Sequence, residues 1–209
     1  MAEEDTIKRT VKKKLFERNY EEMKSKSQLD ILFLLDVTGS MDQYQDLLLN
    51  SVNLISEKIS KFDISNEKKM EIKVKFAYVA YRDKEDDDHF EIQQFTENQK
   101  EFITNLKKII CTGGGDCCED IKGALQQVLN FEFSSLFKFV VLITDAPAHG
   151  LKYHDQNAFD DYQEEDMTKE LELLASKGIV FIVFNSQKWL KKCTKRLKKF
   201  TNSPMANLT

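Results

Sequence analysis

Proline and glycine are both scarce in this chain, which has 2 prolines and 7 glycines among its 209 residues. This leaves no flexible Pro- or Gly-rich linker to separate two domains. Long apolar runs are also missing, because no stretch approaches the roughly 20 residues that a membrane span needs. The hydrophobic content of 41% is enough for one core. The sequence therefore predicts one ordinary domain with short extensions.

Cysteines are few and have no disulfide-framework spacing. They are Cys111, Cys117, Cys118 and Cys193. The N-terminus, Met-Ala-Glu-Glu-Asp, is acidic, and no apolar signal core follows it. We therefore expect a reducing, cytoplasmic location, with the cytoskeleton or a cilium as a finer expectation.

The net charge of −4 is spread unevenly along the chain. Residues 8–14 hold five basic groups, and residues 187–209 hold seven basic groups and no acid. Acids gather at 85–88 and at 155–166. The basic ends could contact an acidic surface such as a tubulin lattice or a nucleic acid, although solvated helix faces are the simpler interpretation.

The most informative stretch is an apolar run that stops at hard oxygen donors. Residues 31–35 are all apolar and predict a buried strand of a parallel sheet. Asp36, Thr38 and Ser40 follow on what should be one tight loop at the carboxyl end of that strand, where open α/β sheets bind ligands. A carboxylate and two hydroxyls suit Mg²⁺ or Mn²⁺ better than a soft metal.

The remaining apolar periodicity alternates between strand and helix patterns. We predict helices at 6–26, 42–60 and 97–109, three further helices marked by Ile121, Met167 and Leu190, and strands at 30–35, 71–82, 89–95, 137–143 and 179–184. The connection between the second and third strands is too short for a helical crossover, so these two should be antiparallel neighbours. The fold class is therefore α/β, with a doubly wound, mostly parallel sheet flanked by helices and one antiparallel edge strand.

Several segments together resemble a von Willebrand factor A (vWA) domain. Asp36-x-Thr38-x-Ser40 resembles the family's first metal loop, and the strand that ends in Asp145-Ala146-Pro147 looks like its second. Thr112 to Asp116 resembles the glycine-rich third loop, and Phe76 to Asp83 the second strand. These motifs resemble most the vWA domains found beside alpha-kinases. The resemblance covers roughly 28–200, with a basic helical arm at 1–27 and a tail at 201–209.

This resemblance implies a metal-ion-dependent adhesion site (MIDAS). Its residues would be Asp36, Thr38 and Ser40 from the first loop and Asp145 from the second, with Mg²⁺, Mn²⁺ or Ca²⁺ as the ion. The third loop departs from the family, because no threonine lies between Gly113 and Lys122. An acid should replace it, and three are available: Asp116, Glu119 and Asp120. Counting back from the helix start places Glu119 nearest, and a degenerate site without metal stays open.

The resemblance also implies an interaction module and not an enzyme. We expect a component of a larger protein assembly that binds partners through an acidic residue at the metal or through its basic termini, with nucleic acid an improbable partner. One alternative is a structural subunit of a cytoskeletal or ciliary assembly with a vestigial metal site. Another is a regulatory partner that acts in trans on an alpha-kinase. The family usually adds a strand and a helix after the last strand seen here, so we expect that sheet edge to be open or paired by a partner.

The remaining motifs give weaker signals of function. The triple glycine at 113–115 is not a phosphate-binding loop, because no Gly-Lys-Ser/Thr follows it. Cys117 and Cys118 are expected to be ordinary loop thiols, and His149 and His154 are not expected to form a zinc site.

Overall fold

The computed structural model describes residues 28–60, 73–154 and 159–185. The helices predicted at 6–26 and around Leu190, and the tail at 201–209, lie outside these residues. No helix within the described ranges is long and apolar enough to cross a membrane.

The centre of the fold is a five-stranded sheet in the order β3-β2-β1-β4-β5. The strands are β1 (Gln28–Asp36), β2 (Lys73–Tyr81), β3 (Phe90–Thr96), β4 (Phe137–Thr144) and β5 (Val180–Asn185). β1 pairs in parallel with β2 and β4, and β4 pairs in parallel with β5. β2 and β3 are antiparallel. The predicted fold class is therefore confirmed, including the single antiparallel edge strand.

Within the described residues, four α-helices accompany the sheet, namely α1 (Gln45–Ser60), α2 (Gln99–Leu106), α3 (Ile121–Leu129) and α4 (Thr168–Ser176). The helix predicted at 42–60 differs at its start, because a 3₁₀ helix at Gly39–Tyr44 precedes α1. The backbone N–H of Met41 donates to the carbonyl of Thr38 at 3.0 Å, which tightens the chain directly after the first loop. The 3₁₀ start keeps this loop close to the sheet edge.

Both faces of the sheet are buried, as expected for a parallel sheet with helices on each side. Successive residues of β1 point to opposite faces. Leu32 and Leu34 pack in a core with α3 and α4, while Phe33 packs with Phe102 of α2 in a second core. Each such side chain contributes about 1.5–3 kcal/mol through burial. These two cores hold β1 in the middle of the sheet.

The order of the strands places a crevice between β1 and β4. The chain leaves β1 toward β2 on one side and later returns to form β4 on the other side, so the winding direction reverses between these strands. Leu35 lies opposite Ile143, so Asp36 and Thr144 come next to each other at the carboxyl end. This is the position at which doubly wound sheets bind ligands.

The opposite end of β1 contains a buried carboxylate that the sequence analysis did not single out. Asp30 is fully buried and accepts hydrogen bonds from the backbone N–H groups of Ser134 and Ser135, at 2.7 and 2.9 Å, and from the Ser135 hydroxyl at 2.5 Å. Three donors to one charged group tie β1 to the turn that precedes β4. Asp30 therefore has a structural role far from the crevice.

Candidate functional site

The first loop turns its oxygen atoms toward one point. Asp36 ends β1, and its Oδ1 accepts hydrogen bonds from the backbone N–H of Thr38 at 3.1 Å and from the Thr38 hydroxyl at 2.7 Å. The Thr38 and Ser40 hydroxyl oxygens lie 3.3 Å apart. The spacing of two residues thus produces a compact group of oxygen donors, as the sequence predicts.

The loop after β4 joins this group through side chains. The Thr144 hydroxyl donates to Asp36 Oδ2 at 2.8 Å, and the Ser40 hydroxyl donates to Asp145 Oδ1, also at 2.8 Å. Asp36, Thr38, Ser40 and Asp145 therefore form one connected cluster at the crevice. Thr144 is an additional member, which positions Asp36 from below.

The glycine-rich loop closes the third side of the cluster. The N–H of Thr112 donates to the carbonyl of Val37, and the N–H of Gly39 donates to the carbonyl of Gly113. Gly114 has a φ of +86°, and a Cβ on it would lie 3.2 Å from Glu119 Oε1 and 3.3 Å from Thr38 Cβ. Only glycine accommodates both this conformation and this close approach.

Glu119 lies against the first loop and points into the crevice. Its backbone N–H donates to the carbonyl of Pro147 at 2.9 Å, so its position is set by the loop after β4. The residue is 4% exposed, and its Oε2 is buried without a hydrogen-bond partner. Burial, together with the carboxylates of Asp36 and Asp83, raises its pKa to about 10. A buried carboxylate of this kind is stabilised by an adjacent cation.

The pKa of Asp36 is also raised, but by less than that of Glu119. Burial raises its pKa to about 6, although the hydrogen bonds from Thr38 and Thr144 act in the opposite direction. Two buried acids with raised pKa values therefore meet two hydroxyls at a sheet edge. This donor set, together with the unpartnered Oε2 atom, fits a hard divalent cation.

A pocket of about 260 Å³ opens directly above this cluster. Asp36 lies beneath the pocket, while residues from the three loops line it. The lining residues are Thr38, Ser40, Gly113, Gly114, Asp116, Cys117, Glu119, Asp145 and Ala146. The pocket gives a ligand access to the two hydroxyls and to the carboxylates of Asp116, Glu119 and Asp145.

The three acids considered for the third loop have different environments. Asp116 uses one oxygen to accept from the N–H of Cys118 at 2.6 Å and the other to accept from the N–H of Asp161 at 2.9 Å. Asp120 caps α3 through the N–H of Gly123 and pairs with His89. Glu119 alone among the three has a buried oxygen without a partner. The geometry therefore favours Glu119 as the third-loop donor.

The carboxylate of Asp86 supports the glycine loop from behind. Asp86 Oδ2 accepts from the N–H of Gly114 and from the N–H of Asp83, both at 3.0 Å. In sequence, 83–88 is an acidic connector between strands, and no local pattern indicates which of its acids turns inward. Part of this run is therefore a brace for the site.

Comparison with known proteins gives one family and one curated relative. A model of the von Willebrand factor A domain matches residues 30–198. The alpha-protein kinase vwkA of Dictyostelium discoideum is 26% identical over 163 residues, which are 71% of this chain and 24% of that protein. The chain thus spans about a quarter of the length of this relative.

Solved structures share the fold at low identity. The pilus adhesin SpaC from Lactobacillus rhamnosus GG matches with a TM-score of 0.58 and 12% identity, over 87% of this chain and 28% of that one. Proximal thread matrix protein 1 from the mussel byssus, in a structure with a zinc-occupied MIDAS motif, matches with a TM-score of 0.56 and 16% identity, over 86% of this chain and 44% of that one.

Proposed function

Because this chain belongs to the von Willebrand factor A domain family, we propose that it is a protein-interaction module with a divalent-metal site at the carboxyl edge of its sheet. The observation that carries this proposal is the convergence of three oxygen-bearing loops on one crevice. It is also supported by a structural neighbour that holds zinc at its MIDAS motif.

Asp36, Thr38, Ser40, Glu119 and Asp145 would hold the ion, which we propose to be Mg²⁺, with Mn²⁺ and Ca²⁺ as the alternatives. All five side chains offer hard oxygen atoms. A bound divalent cation would supply positive charge to the buried carboxylates and would offer a coordination position to a partner. Thr144 would orient Asp36 through its 2.8 Å hydrogen bond.

Glu119 sets the character of the proposed site. A third carboxylate beside Asp36 and Asp145 neutralises more of the charge of a divalent ion than a threonine hydroxyl would. The ion would then be held firmly and would attract an acidic partner group less strongly. We therefore propose that a partner carboxylate adds to the interface without dominating its affinity, and that the basic termini contribute further contacts.

The surroundings of the module are part of the same proposal. We propose that it works in the cytoplasm as a component of a larger assembly, with the cytoskeleton or a cilium as the finer assignment. The cysteine content supports this placement. We also propose that it acts by binding and not by catalysis, because His149 and His154, which pair with Asp160, are buried and do not line the pocket.

The test has a direct and a functional arm. Mg²⁺ and Mn²⁺ are titrated into the wild type, Asp36→Ala and the control Asp46→Ala, which removes an exposed acid from the first turn of α1. We expect Asp36→Ala to lose binding and Asp46→Ala to keep it. Unchanged metal binding by Asp36→Ala would overturn the proposed site.

The functional arm is a pull-down from native lysate with Mg²⁺ or EDTA, using the same three proteins. Partners that are lost both on chelation and in Asp36→Ala identify the metal loop as the working interface. Partners that persist in both conditions contradict a metal-dependent interface and support the structural subunit with a vestigial site.

A regulatory partner that acts in trans on an alpha-kinase is the second candidate, favoured by the name of the Dictyostelium relative. It predicts that an alpha-kinase co-purifies with this chain and that its rate of phosphorylation changes when the chain is added. A kinase whose rate is unaffected by a stoichiometric amount of the chain would exclude this role.

A further inference from the structure

A second cluster of metal-ligating side chains lies behind the glycine-rich loop, outside the proposed Mg²⁺ site. It combines the thiol of Cys118, the imidazole of His154 and the carboxylate of Asp160. All three residues are buried, with exposed fractions of 0%, 3% and 4%. Their donor atoms lie within 4.8 Å of one another.

We propose that Cys118, His154 and Asp160 form a second metal site that takes a zinc-class ion. A thiolate and an imidazole together favour such an ion over the hard cations that suit an all-oxygen site. The sequence does not predict zinc here, because no local pattern joins the two histidines to the two cysteines. The fold brings one residue of each kind together.

The donor geometry is compatible with an ion of this size. Zinc lies about 2.0–2.3 Å from each of its ligands, so ligand atoms around it are separated by somewhat more than 3 Å. His154 Nε2 and Asp160 Oδ2 are 2.8 Å apart, the distance of a hydrogen bond. If one of these two side chains moves slightly outward, an ion can replace the proton that the two atoms share.

A second group of donors lies beside the first and consists of Asp116, Cys118 and His149, so the Cys118 sulphur belongs to both groups. His149 Nδ1 lies 2.8 Å from Asp160 Oδ1 and 4.0 Å from Asp116 Oδ2. The two groups share that sulphur alone, so water would supply the fourth ligand of a four-coordinate zinc bound by Cys118, His154 and Asp160.

The charge balance of the cluster also favours a cation. Asp83, Asp116 and Asp160 surround His149, so carboxylates outnumber the imidazole that joins them. A cation among these groups would offset their negative charge, and the thiol proton that it displaces would go to solvent.

Such an ion would connect two loops that carry the proposed Mg²⁺ ligands. Cys118 directly precedes Glu119. The loop containing Asp160 already contacts the residue before Cys118, because the N–H of Cys117 donates to the carbonyl of Phe159. Zinc would fix these segments to each other. It would hold Glu119 in place without any contact with the pocket.

Cobalt provides a test that reports on sulphur ligation specifically. Co²⁺ is added to the full chain in excess Mg²⁺, and the near-ultraviolet thiolate-to-cobalt charge-transfer band is recorded. We expect the wild type to show this band together with strong visible absorption of a four-coordinate ion, at one Co²⁺ per chain. Zn²⁺ should displace the cobalt stoichiometrically.

Matched variants locate the ligand. Cys118→Ser should abolish the charge-transfer band and His154→Gln should weaken Co²⁺ binding at least tenfold, while Cys117→Ser, which alters the exposed neighbouring thiol, should retain both. Asp36→Ala should also retain the band, because it damages only the proposed Mg²⁺ site. A wild type without the band, or a band that survives in Cys118→Ser or disappears in Cys117→Ser alone, would overturn the assignment. Circular dichroism shows whether each variant is folded. If Cys118→Ser does not fold, the presence or absence of the charge-transfer band in the wild type decides the assignment.

Discussion

Replacing Glu119 with glutamine should stabilise the metal-free protein and reduce the stabilisation that Mg²⁺ adds. The side chain is buried among carboxylates, and its pKa is raised to about 10 from an ordinary value of 4.5. At about pH 7 the metal-free protein must therefore keep it protonated. Holding a proton on a group of ordinary pKa 4.5 at that pH costs about 3 kcal/mol, from about 1.4 kcal/mol per pH unit. Glutamine has a similar shape and avoids this cost.

The sign of the pH dependence follows from the raised pKa. The folded state binds more protons than the unfolded state above about pH 4.5, so the metal-free wild type loses stability as the pH rises from there toward about 10. In EDTA, Glu119→Gln should equal the wild type near pH 4 and exceed it by up to about 3 kcal/mol near pH 7. In a chain of this length that corresponds to a rise in Tm of about 6–12 °C.

Magnesium should narrow the stability difference between the two proteins. If Glu119 is a ligand, the wild type gains more stability from Mg²⁺ than the variant does. A tenfold loss of affinity lowers the gain at saturating Mg²⁺ by about 1.4 kcal/mol. Thermal melts in EDTA and in Mg²⁺ over a pH series measure both effects, with Glu132→Gln, an exposed glutamate, as the matched control.

Two results would refute this reasoning. Equal metal-free stability of wild type and Glu119→Gln at neutral pH would mean that the carboxylate is solvated and carries no burial cost. Equal stabilisation of both proteins by Mg²⁺ would mean that Glu119 does not contact the ion.

Two further substitutions test the frame around the site. Gly114→Ala should lower the free energy of unfolding by about 1–3 kcal/mol, because a φ of +86° disfavours alanine, and should weaken Mg²⁺ binding, because the new Cβ would press on Thr38 and Glu119. Urea unfolding and metal titration measure the two effects, and normal Mg²⁺ binding would contradict the close approach. Asp30→Ala should lower the free energy of unfolding by about 2–4 kcal/mol, because it leaves the donors of Ser134 and Ser135 without their acceptor. It should keep Mg²⁺ binding, which takes place at the far end of β1. A stability loss below about 1 kcal/mol would show that water replaces the carboxylate.

The sequence predicted those parts of the molecule that depend on local patterns. The apolar run at 31–35 followed by Asp36 identified both the central strand and the edge at which the oxygen donors meet. The short connection before Phe90 was enough to predict the antiparallel edge strand. These features follow from side-chain periodicity and chain length, which neighbouring residues determine.

Contacts between distant segments could not be predicted in this way. Asp30 meets Ser135 across more than a hundred residues, and the pairing of Cys118 with Asp160 depends on how two loops cross. Counting along the chain reached Glu119 but could not exclude Asp116 or Asp120. Their hydrogen bonds to Cys118 and Gly123 become visible only in three dimensions.

The backbone bonds that join the first loop to its neighbours have a consequence for affinity. The N–H of Val37 donates to the carbonyl of Tyr81, the carbonyl of Val37 accepts from Thr112, and Gly39 bonds to Gly113. These contacts form when the chain folds and do not involve the proposed ligand atoms. Folding free energy, and not binding free energy, therefore orders the loops, so that an arriving ion loses little affinity to conformational entropy. The rigidity of the crevice is thus inherited from the sheet.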